Sequence, residues 1–554
     1  MYAYLMDNVD SKKSCFEYAP SVPVNISRHC YTGQVAEYHV ENFGCRASQA
    51  DGDAIAATLE GLGALPSDGL TQASVVVVNT CSVTAEADRD ARAYIRLARR
   101  ANPQARIVVT GCYAQRAPEE VAALPGVFAV VGNSHKDQVA SVALNGTPLN
   151  LAPISNPASG FVPLADLQAP TPTSAFRTQT SAFCLTSDIF AHTEFQMPSL
   201  PASVLHRLED AKAAHRTRPS LKIQDGCGNR CTFCIIPSTR GNSRSQSRKN
   251  VLAAVQEFVE AGGKELVISG INLGRWGRDL TPQGRLEDLL AEIFETTALP
   301  RLRISSIEPM DWTDGILALL RRWGTGEHPR FARHVHLPLQ SGSDGVLRRM
   351  HRRYRPWHYA ERLAAVRSAS PDATLGADVM VGFPGETDAE FQECHDFIAA
   401  QPLTYLHLFP FSARPGTPGW EMHRQSPVGG VAVRERMAVL RTLIDRKNRD
   451  FRSTFVGREL SALTLVSDTA TTGRQRSIAM TDNFLPVEID GVWAPNALVT
   501  AQITAVATQG LQAIGVTARK PATSGASTSS LETTLECYTH EASRSLAHLE
   551  AAHR

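Results

Sequence analysis

The chain has 554 residues, 43% of them hydrophobic and 20% charged, with 38 Gly and 32 Pro. That composition belongs to a soluble protein with room for three or four domains, and it excludes collagen, a fibrous coiled coil and disorder throughout. A formal net charge of +1 means that any nucleic acid must be met by local basic patches, not by bulk charge. Apolar runs such as Val75 to Val78 are far below the roughly 20 residues that cross a bilayer. The opening MYAYLMDNVDSKKSCFEYAP lacks the basic flank, apolar core and cleavage site of a secretory leader. No membrane association and a cytoplasmic location are expected.

Residues 1–34 carry no periodicity and are expected to be an extension. From Val35 to about residue 150, apolar runs ending in NFGC, VVVVNTC and VVTGC alternate with helical stretches, which predicts an open parallel α/β domain. Cys45, Cys81 and Cys112 follow one another at 36 and 31 residues, close to the ~30 residues of one strand-helix-strand unit. Each is expected to end a parallel strand, so the three thiols converge on the carboxyl edge of one sheet, where ligands of such sheets sit. Residues 151–218 are rich in Pro, Ser, Thr and Ala and are expected to be a linker or insertion, with one short helix near Val204 to His215.

Residues 219–455 contain six apolar segments, LKIQDG, KELVISGIN, LRISSIEP, HVHLPLQSG, LGADVMVGFPG and YLHLFPFSA, each followed by a helical one. A partial (β/α)6 barrel with its ligands at the carboxyl rim is predicted. A charged helix connects it to residues 456–518, whose short β-rich runs predict a small all-β barrel. Residues 519–554 look like a tail.

Eleven Cys are present, an odd number that argues against a fully paired disulfide framework. Cys15, Cys30, Cys184, Cys394 and Cys537 show no pattern. Cys227, Cys231 and Cys234, by contrast, crowd into GCGNRCTFC just after the first barrel segment. Thiolates so spaced can wrap one corner of an iron–sulfur cluster, whereas a structural zinc wants a fourth nearby Cys or His. No further Cys comes before Cys394, so a four-iron cube held here keeps one iron open for a small molecule. A zinc knuckle completed by a distant His is the alternative.

KIQDGCGNRCTFCIIPSTRGNSRS resembles the cluster loop of radical S-adenosylmethionine (SAM) enzymes in the form found in methylthiotransferases. NFGCRASQADGD, VVVVNTCSVTAEADRDAR and VVTGCYAQ resemble the N-terminal blocks of that family, and GINLGRWGRDL, RISSIEP, HLPLQSGSDGVLRRMHRRY, DVMVGFPGET and FPFSARPGTPG its barrel motifs. The β-rich end is similar to its small RNA-binding (TRAM) domain. The resemblance implies two 4Fe-4S clusters: one on Cys227, Cys231 and Cys234 that binds SAM and cleaves it reductively, and a second on Cys45, Cys81 and Cys112 that carries the sulfur to be inserted. It also implies a tRNA substrate, a reducing electron donor protein and a sulfur source.

NTCSVT, TGCYAQ and GINLGRWG most resemble the branch that methylthiolates C2 of N6-threonylcarbamoyladenosine at position 37 of tRNA. The alternatives are N6-isopentenyladenosine in tRNA, an aspartate of ribosomal protein S12 and, outside enzymes, a metal-stabilised RNA-binding protein. Ser48 stands where the family usually has Asn, and Trp276 where Tyr is common.

Other residues are expected to meet the cofactor: Gly262, Gly263 and Glu265 its amino group, Ser306 and Glu308 its ribose, with His336, Gln340 and Gly382 at the following strand ends. Arg348, Arg349, Arg352 and Arg353, interleaved with aromatics, form a basic stretch suited to RNA phosphates. The β-rich end holds only Arg458, Arg474 and Arg476 against five carboxylates, so it is expected to touch RNA with a few placed side chains.

Overall fold

The computed structural model describes residues 35–146, 182–195, 217–468 and 475–516. Strands β1 (Glu37–Asn42), β2 (Leu65–Pro66), β3 (Val75–Thr80), β4 (Arg106–Gly111), β5 (Val127–Gly132) and β6 (Phe183–Leu185) form one parallel sheet in the order β2-β1-β3-β4-β5-β6. β3 is buried at all six positions, so both sheet faces must be covered, and strand alternation divides the load. Val75, Val77 and Val108 pack with Ile55, Leu59 and Val139 on one side. Val76, Val78, Ile107 and Val109 pack with Ile95, Ala98 and Tyr113 on the other.

The segment 151–218 is not merely a linker. Its middle supplies β6, which pairs with β5, and a turn of 3-10 helix, Ile189–Ala191. Ser187 ties this segment down by accepting from Gln115 Nε2 (3.0 Å) and donating its N–H to Ser134 Oγ (3.0 Å). A three-residue strand held by backbone bonds leaves no periodic trace in sequence. The helix expected near Val204 to His215 lies outside the described residues, as do the extension 1–34 and the tail 519–554.

Strands β7 (Ser220–Asp225), β8 (Arg244–Ser245), β9 (Glu265–Gly270), β10 (Arg301–Ile304), β11 (His334–His336), β12 (Thr374–Val381) and β13 (Tyr405–Pro410) build the central unit. They lie in two sheets, β10-β9-β7-β8 and β11-β12-β13, whose parallel strands meet at one bridge between Leu302 and Phe331. β8 is a short antiparallel partner of β7. One core runs across both sheets: Leu221, Ile223, Leu266, Ile268, Leu302, Ile304, Val335, Leu375, Ala377, Val379, Leu406 and Leu408 all point toward the helices. Alternation then turns Lys222, Gln224, Glu265, Ser269, Arg301, Arg303, His334, His336, Asp378 and His407 to the opposite face. The inside of this partial barrel is polar.

Helix Gly430–Ser453 leaves the barrel through buried Met437, Leu440, Leu443 and Ile444. It leads to strands β14 (Glu459–Asp468), β15 (Arg476–Thr481), β16 (Pro486–Asp490), β17 (Leu498–Ala507) and β18 (Gly510–Gly515), closed as β14-β15-β16-β18-β17. This small barrel caps the amino end of the central strands. Asp482 pairs with Arg333 (3.0 Å), Arg303 donates to the Thr481 carbonyl (3.2 Å), and the Phe484 ring stacks on His334 at 4.2 Å. Among the described residues no helix is long and apolar enough to cross a membrane.

Candidate functional site

Cys81 and Cys112 directly follow β3 and β4, and Cys45 lies three residues after the end of β1; these strands are neighbours in the sheet. Glycine brings the loops together. At Gly44 (φ +103°) a Cβ would lie 2.6 Å from Cys81 Cβ and 2.9 Å from its Sγ, and at Gly111 (φ +96°) it would lie 2.3 Å from the Thr80 carbonyl oxygen; no L side chain fits either position. Burial pushes the Cys81 thiol up to about 12, with the nearby Cys112 and Cys45 adding to the rise. A bound cation would reverse this rise, since a coordinating thiol is deprotonated.

The second trio sits in the loop after β7. Burial pushes Cys234 up to about 12, and Cys231 and Cys227 contribute to the rise. Cys227 Sγ accepts from the Asn229 N–H (3.4 Å) and from Asn272 Nδ2 (3.4 Å). Cys231 Sγ lies 3.2 Å from Arg352 Nη1, while Nη2 of the same guanidinium is paired with Glu308.

A five-residue helix, Ile236–Arg240, runs from the second trio to the surroundings of the first. It starts two residues after Cys234, and the following Gly241 carbonyl accepts from the Cys227 N–H (3.0 Å). At its end, Asn133 Nδ2 donates to the Thr239 carbonyl (2.8 Å) and lies 3.6 Å from Cys112 Sγ. Arg240 Nη2 reaches Ser48 Oγ (3.2 Å) and Asp51 (3.1 Å), and Nη1 reaches Asp225 (2.9 Å). Ser48 Oγ is itself 3.7 Å from Cys45 Sγ.

Asp51 also pairs with Lys136 and Lys222, and Lys222 with Asp225 at 2.8 Å. All five side chains are buried. Burial alone would raise Asp51, but Lys136, Lys222 and Arg240 overcome it and hold the carboxyl at about 2. Burial lowers Lys136 to about 8 against the pull of Asp51. Burial also opposes the Arg240 charge, yet Asp225, Cys112, Asp51 and Cys45 hold the guanidinium well above its ordinary value.

A trio of thiols with no fourth Cys or His among them suits an iron–sulfur cluster. A tetrahedral zinc with Zn–S bonds of about 2.3 Å draws its sulfurs to within roughly 4 Å. Among the described residues the trio with ligand atoms all within 4.8 Å is His336, Asp378 and His407, not either set of cysteines. An iron–sulfur cube takes one thiolate per iron, so three thiols leave the fourth iron open.

Several predicted cofactor residues lie elsewhere. Gly262, Gly263 and Glu265 precede or begin β9, whereas Cys227 follows the end of the parallel β7, so they are at the opposite end of the barrel. Gly262 (φ +81°) makes a turn, and a Cβ on Gly263 would meet the Phe258 ring at 2.2 Å. Glu265 pairs with Arg303 (2.7 Å) and Arg301 (3.4 Å); burial opposes its charge, but Arg303, Arg218 and Arg301 hold it at about 2. The residue at the correct end of β9 is Asn272, which sequence reading missed.

Ser306 Oγ is 2.6 Å from His336 Nδ1, and Glu308 is engaged by Arg352 as described. His336 is lowered to about 4, chiefly by burial, and is neutral near pH 7. Gln340 is buried in a left-handed conformation (φ +66°), with its Oε1 lacking a hydrogen-bond partner. Gly382 turns at φ +78° and gives its N–H to Glu386 (2.8 Å). Of the basic stretch, Arg352 is buried against Cys231 and so is not an RNA contact, and Arg349 is committed to Glu390 (2.7 and 2.9 Å). Arg348 and Arg353 are exposed, Arg348 with Asp344 at 2.8 Å. Trp276 is buried and donates to the Gln246 carbonyl (3.0 Å).

Comparison with known proteins places the chain in a family. A model described as "Uncharacterized protein family UPF0004" matches residues 37–132, and one described as "Radical SAM superfamily" matches residues 221–398. The threonylcarbamoyladenosine tRNA methylthiotransferase MtaB of Bacillus subtilis is 34% identical over 81% of this chain and 89% of its own. MtaB of Aquifex aeolicus is 30% identical over 84% and 99%. The tRNA-2-methylthio-N(6)-dimethylallyladenosine synthase of a Parafrankia species is 31% identical over 83% and 85%.

The matches are those of a radical SAM transferase. The chain belongs to the tRNA methylthiotransferase family within that superfamily, whose cofactors are SAM and 4Fe-4S clusters.

Proposed function

We propose that the protein attaches a methylthio group to C2 of N6-threonylcarbamoyladenosine at position 37 of tRNA. Cys227, Cys231 and Cys234 hold the cluster that binds SAM, and Cys45, Cys81 and Cys112 hold the one that carries sulfur. The observation that carries this reading is the helix Ile236–Arg240, which runs from one cysteine trio to the surroundings of the other. Together the groups supply radical attack on a C–H bond and a methylated sulfur to fill the position. The chain's own residues orient and shield: Asn272 and Arg352 donate to loop thiols, and Arg352 fixes Glu308 at the rim.

The threonylcarbamoyl branch is favoured by the barrel interior. A threonylcarbamoyl group brings a carboxylate, a hydroxyl and a urea, whereas a dimethylallyl group is hydrocarbon. His336, Asp378 and the more exposed His407 pair with one another and offer hydrogen-bonding groups that a polar substituent can use and a hydrocarbon cannot. Arg348 and Arg353 are left to meet tRNA phosphates, and a protein reductant and a sulfur source complete the cycle.

Nucleoside mass spectrometry of tRNA from cells lacking the protein tests the assignment. Loss of methylthio-threonylcarbamoyladenosine is expected. Its persistence alongside loss of methylthio-isopentenyladenosine overturns the substrate assignment.

A further inference from the structure

Asp51, Asp225, Lys136, Lys222 and Arg240 form a buried group with three cations against two carboxylates. One positive charge is left over in a region that water does not reach. Uncompensated buried charge is costly, so an anion is expected next to it. Arg240 points to where that anion belongs: its Nε is buried with no hydrogen-bond partner, its Nη2 touches the serine beside Cys45, and Cys112 and Cys45 are among the groups that stabilise its charge. Three thiolates on a four-iron cube in its oxidised 2+ state carry a net charge of −1, and one added electron makes it −2.

We propose that Arg240, backed by Lys136 and Lys222, is the positioning residue that raises the reduction potential of the cluster held by Cys45, Cys81 and Cys112. The buried surplus cation stabilises the more negative, reduced state over the oxidised one, since charge and hydrogen bonding around the sulfurs tune such clusters. Because Arg240 ends the helix that begins beside Cys234, the same residue fixes the separation of the two clusters and biases which of them keeps an electron. The inference rests on the cluster assignment made above.

The test uses the full chain carrying Cys227→Ala, Cys231→Ala and Cys234→Ala, so that only the N-terminal trio binds a cube. Iron is reconstituted anaerobically, and the reduced fraction is read by electron paramagnetic resonance in a mediated redox titration. Arg240→Gln is expected to lower the reduced-to-oxidised ratio at fixed poise by tenfold or more, about 59 mV for one electron, and Arg240→Lys to recover most of it. An unchanged ratio in Arg240→Gln with the signal intact overturns the role of Arg240 and leaves the cluster assignment standing. Absence of a four-iron signal from the parent triple variant overturns that assignment itself. Should Arg240→Gln lose its iron, Lys136→Gln removes one cation of the same group without touching the guanidinium, and an unchanged ratio there overturns the proposal.

Discussion

Each cysteine trio has a buried arginine beside it, but the two arginines are answered differently. Arg352, next to Cys231, is neutralised by the single carboxylate Glu308 at a rim that is partly open. Arg240, on the Cys45 and Cys112 side, belongs to a five-membered group that retains a positive charge and is closed off from water. A site that must admit and release a cofactor uses a balanced pair that costs little to expose. On the proposed assignment, the site of Cys45, Cys81 and Cys112 retains its cluster through the reaction and can use a surplus cation, because the cluster would supply the missing negative charge. Equal ligand sets thus acquire unequal electrostatics from their surroundings.

Separating the two trios by mutation has the largest expected effect. Replacing any of Cys227, Cys231 or Cys234 by Ala should reduce formation of 5′-deoxyadenosine to background. Replacing Cys45, Cys81 or Cys112 should leave that cleavage intact while abolishing methylthio insertion, with iron content roughly halved in either set. Loss of cleavage in both sets would break the division of labour.

Next in size is Asp51→Asn, which deprives three buried cations of a shared partner. Breaking a buried ion group costs about 3–5 kcal/mol, and the cost should appear as a lower denaturant midpoint followed by fluorescence of buried Trp276 and Trp312. An unchanged midpoint would mean that this charge group does not join the domains.

Acid should distinguish the two regions by where each weakens. Asp51 is held at about 2 against an ordinary 3.8, so its contribution is full above 3.8 and is lost only as pH falls toward 2. His336 is lowered by burial to about 4 from 6.5. The folded state therefore favours its neutral form, and stability present above 6.5 drains away as pH falls from 6.5 to 4, by about 3 kcal/mol. His336→Gln should abolish that share of the loss when melts are compared across pH 7 to 4. An identical acid profile in the variant would place the weakness elsewhere.

The smallest effects belong to the surface. Arg348→Ala and Arg353→Ala should each weaken tRNA binding severalfold and reduce the salt slope of the association constant by roughly one unit. Arg349→Ala, which releases Glu390 from its pairing, should affect folding more than salt-dependent binding. A salt slope that falls with Arg349 and not with the other two would reverse the assignment.

Much of the fold was legible in the amino-acid pattern. Parallel strands buried on both faces must be apolar throughout, so VVVVNT and its neighbours stood out, and the spacing of Cys45, Cys81 and Cys112 matched one strand-helix-strand unit. The same rule that puts ligands beyond strand ends also assigns Asn272 to the rim; Glu265, at the start of β9, lay at the wrong end. Arg352 looked like a surface cation in a basic stretch, since only its environment distinguishes it from exposed Arg353. Lys222 and Asp225 left a readable sign, charges in the strand SLKIQD that heads the barrel, and a charge placed in such a strand calls for a buried partner.

The sequence by itself determined the six clustered thiols, the alternation of strands and helices, and the closing β-rich module, because these are set by local spacing and by burial periodicity. Only the tertiary structure decided which charges meet around the thiols: Asp51 finds Lys136, Lys222 and Arg240 at separations of 85, 171 and 189 residues. Electrostatic partners at such distances along the chain are chosen by how the domains pack, and no local pattern encodes that choice.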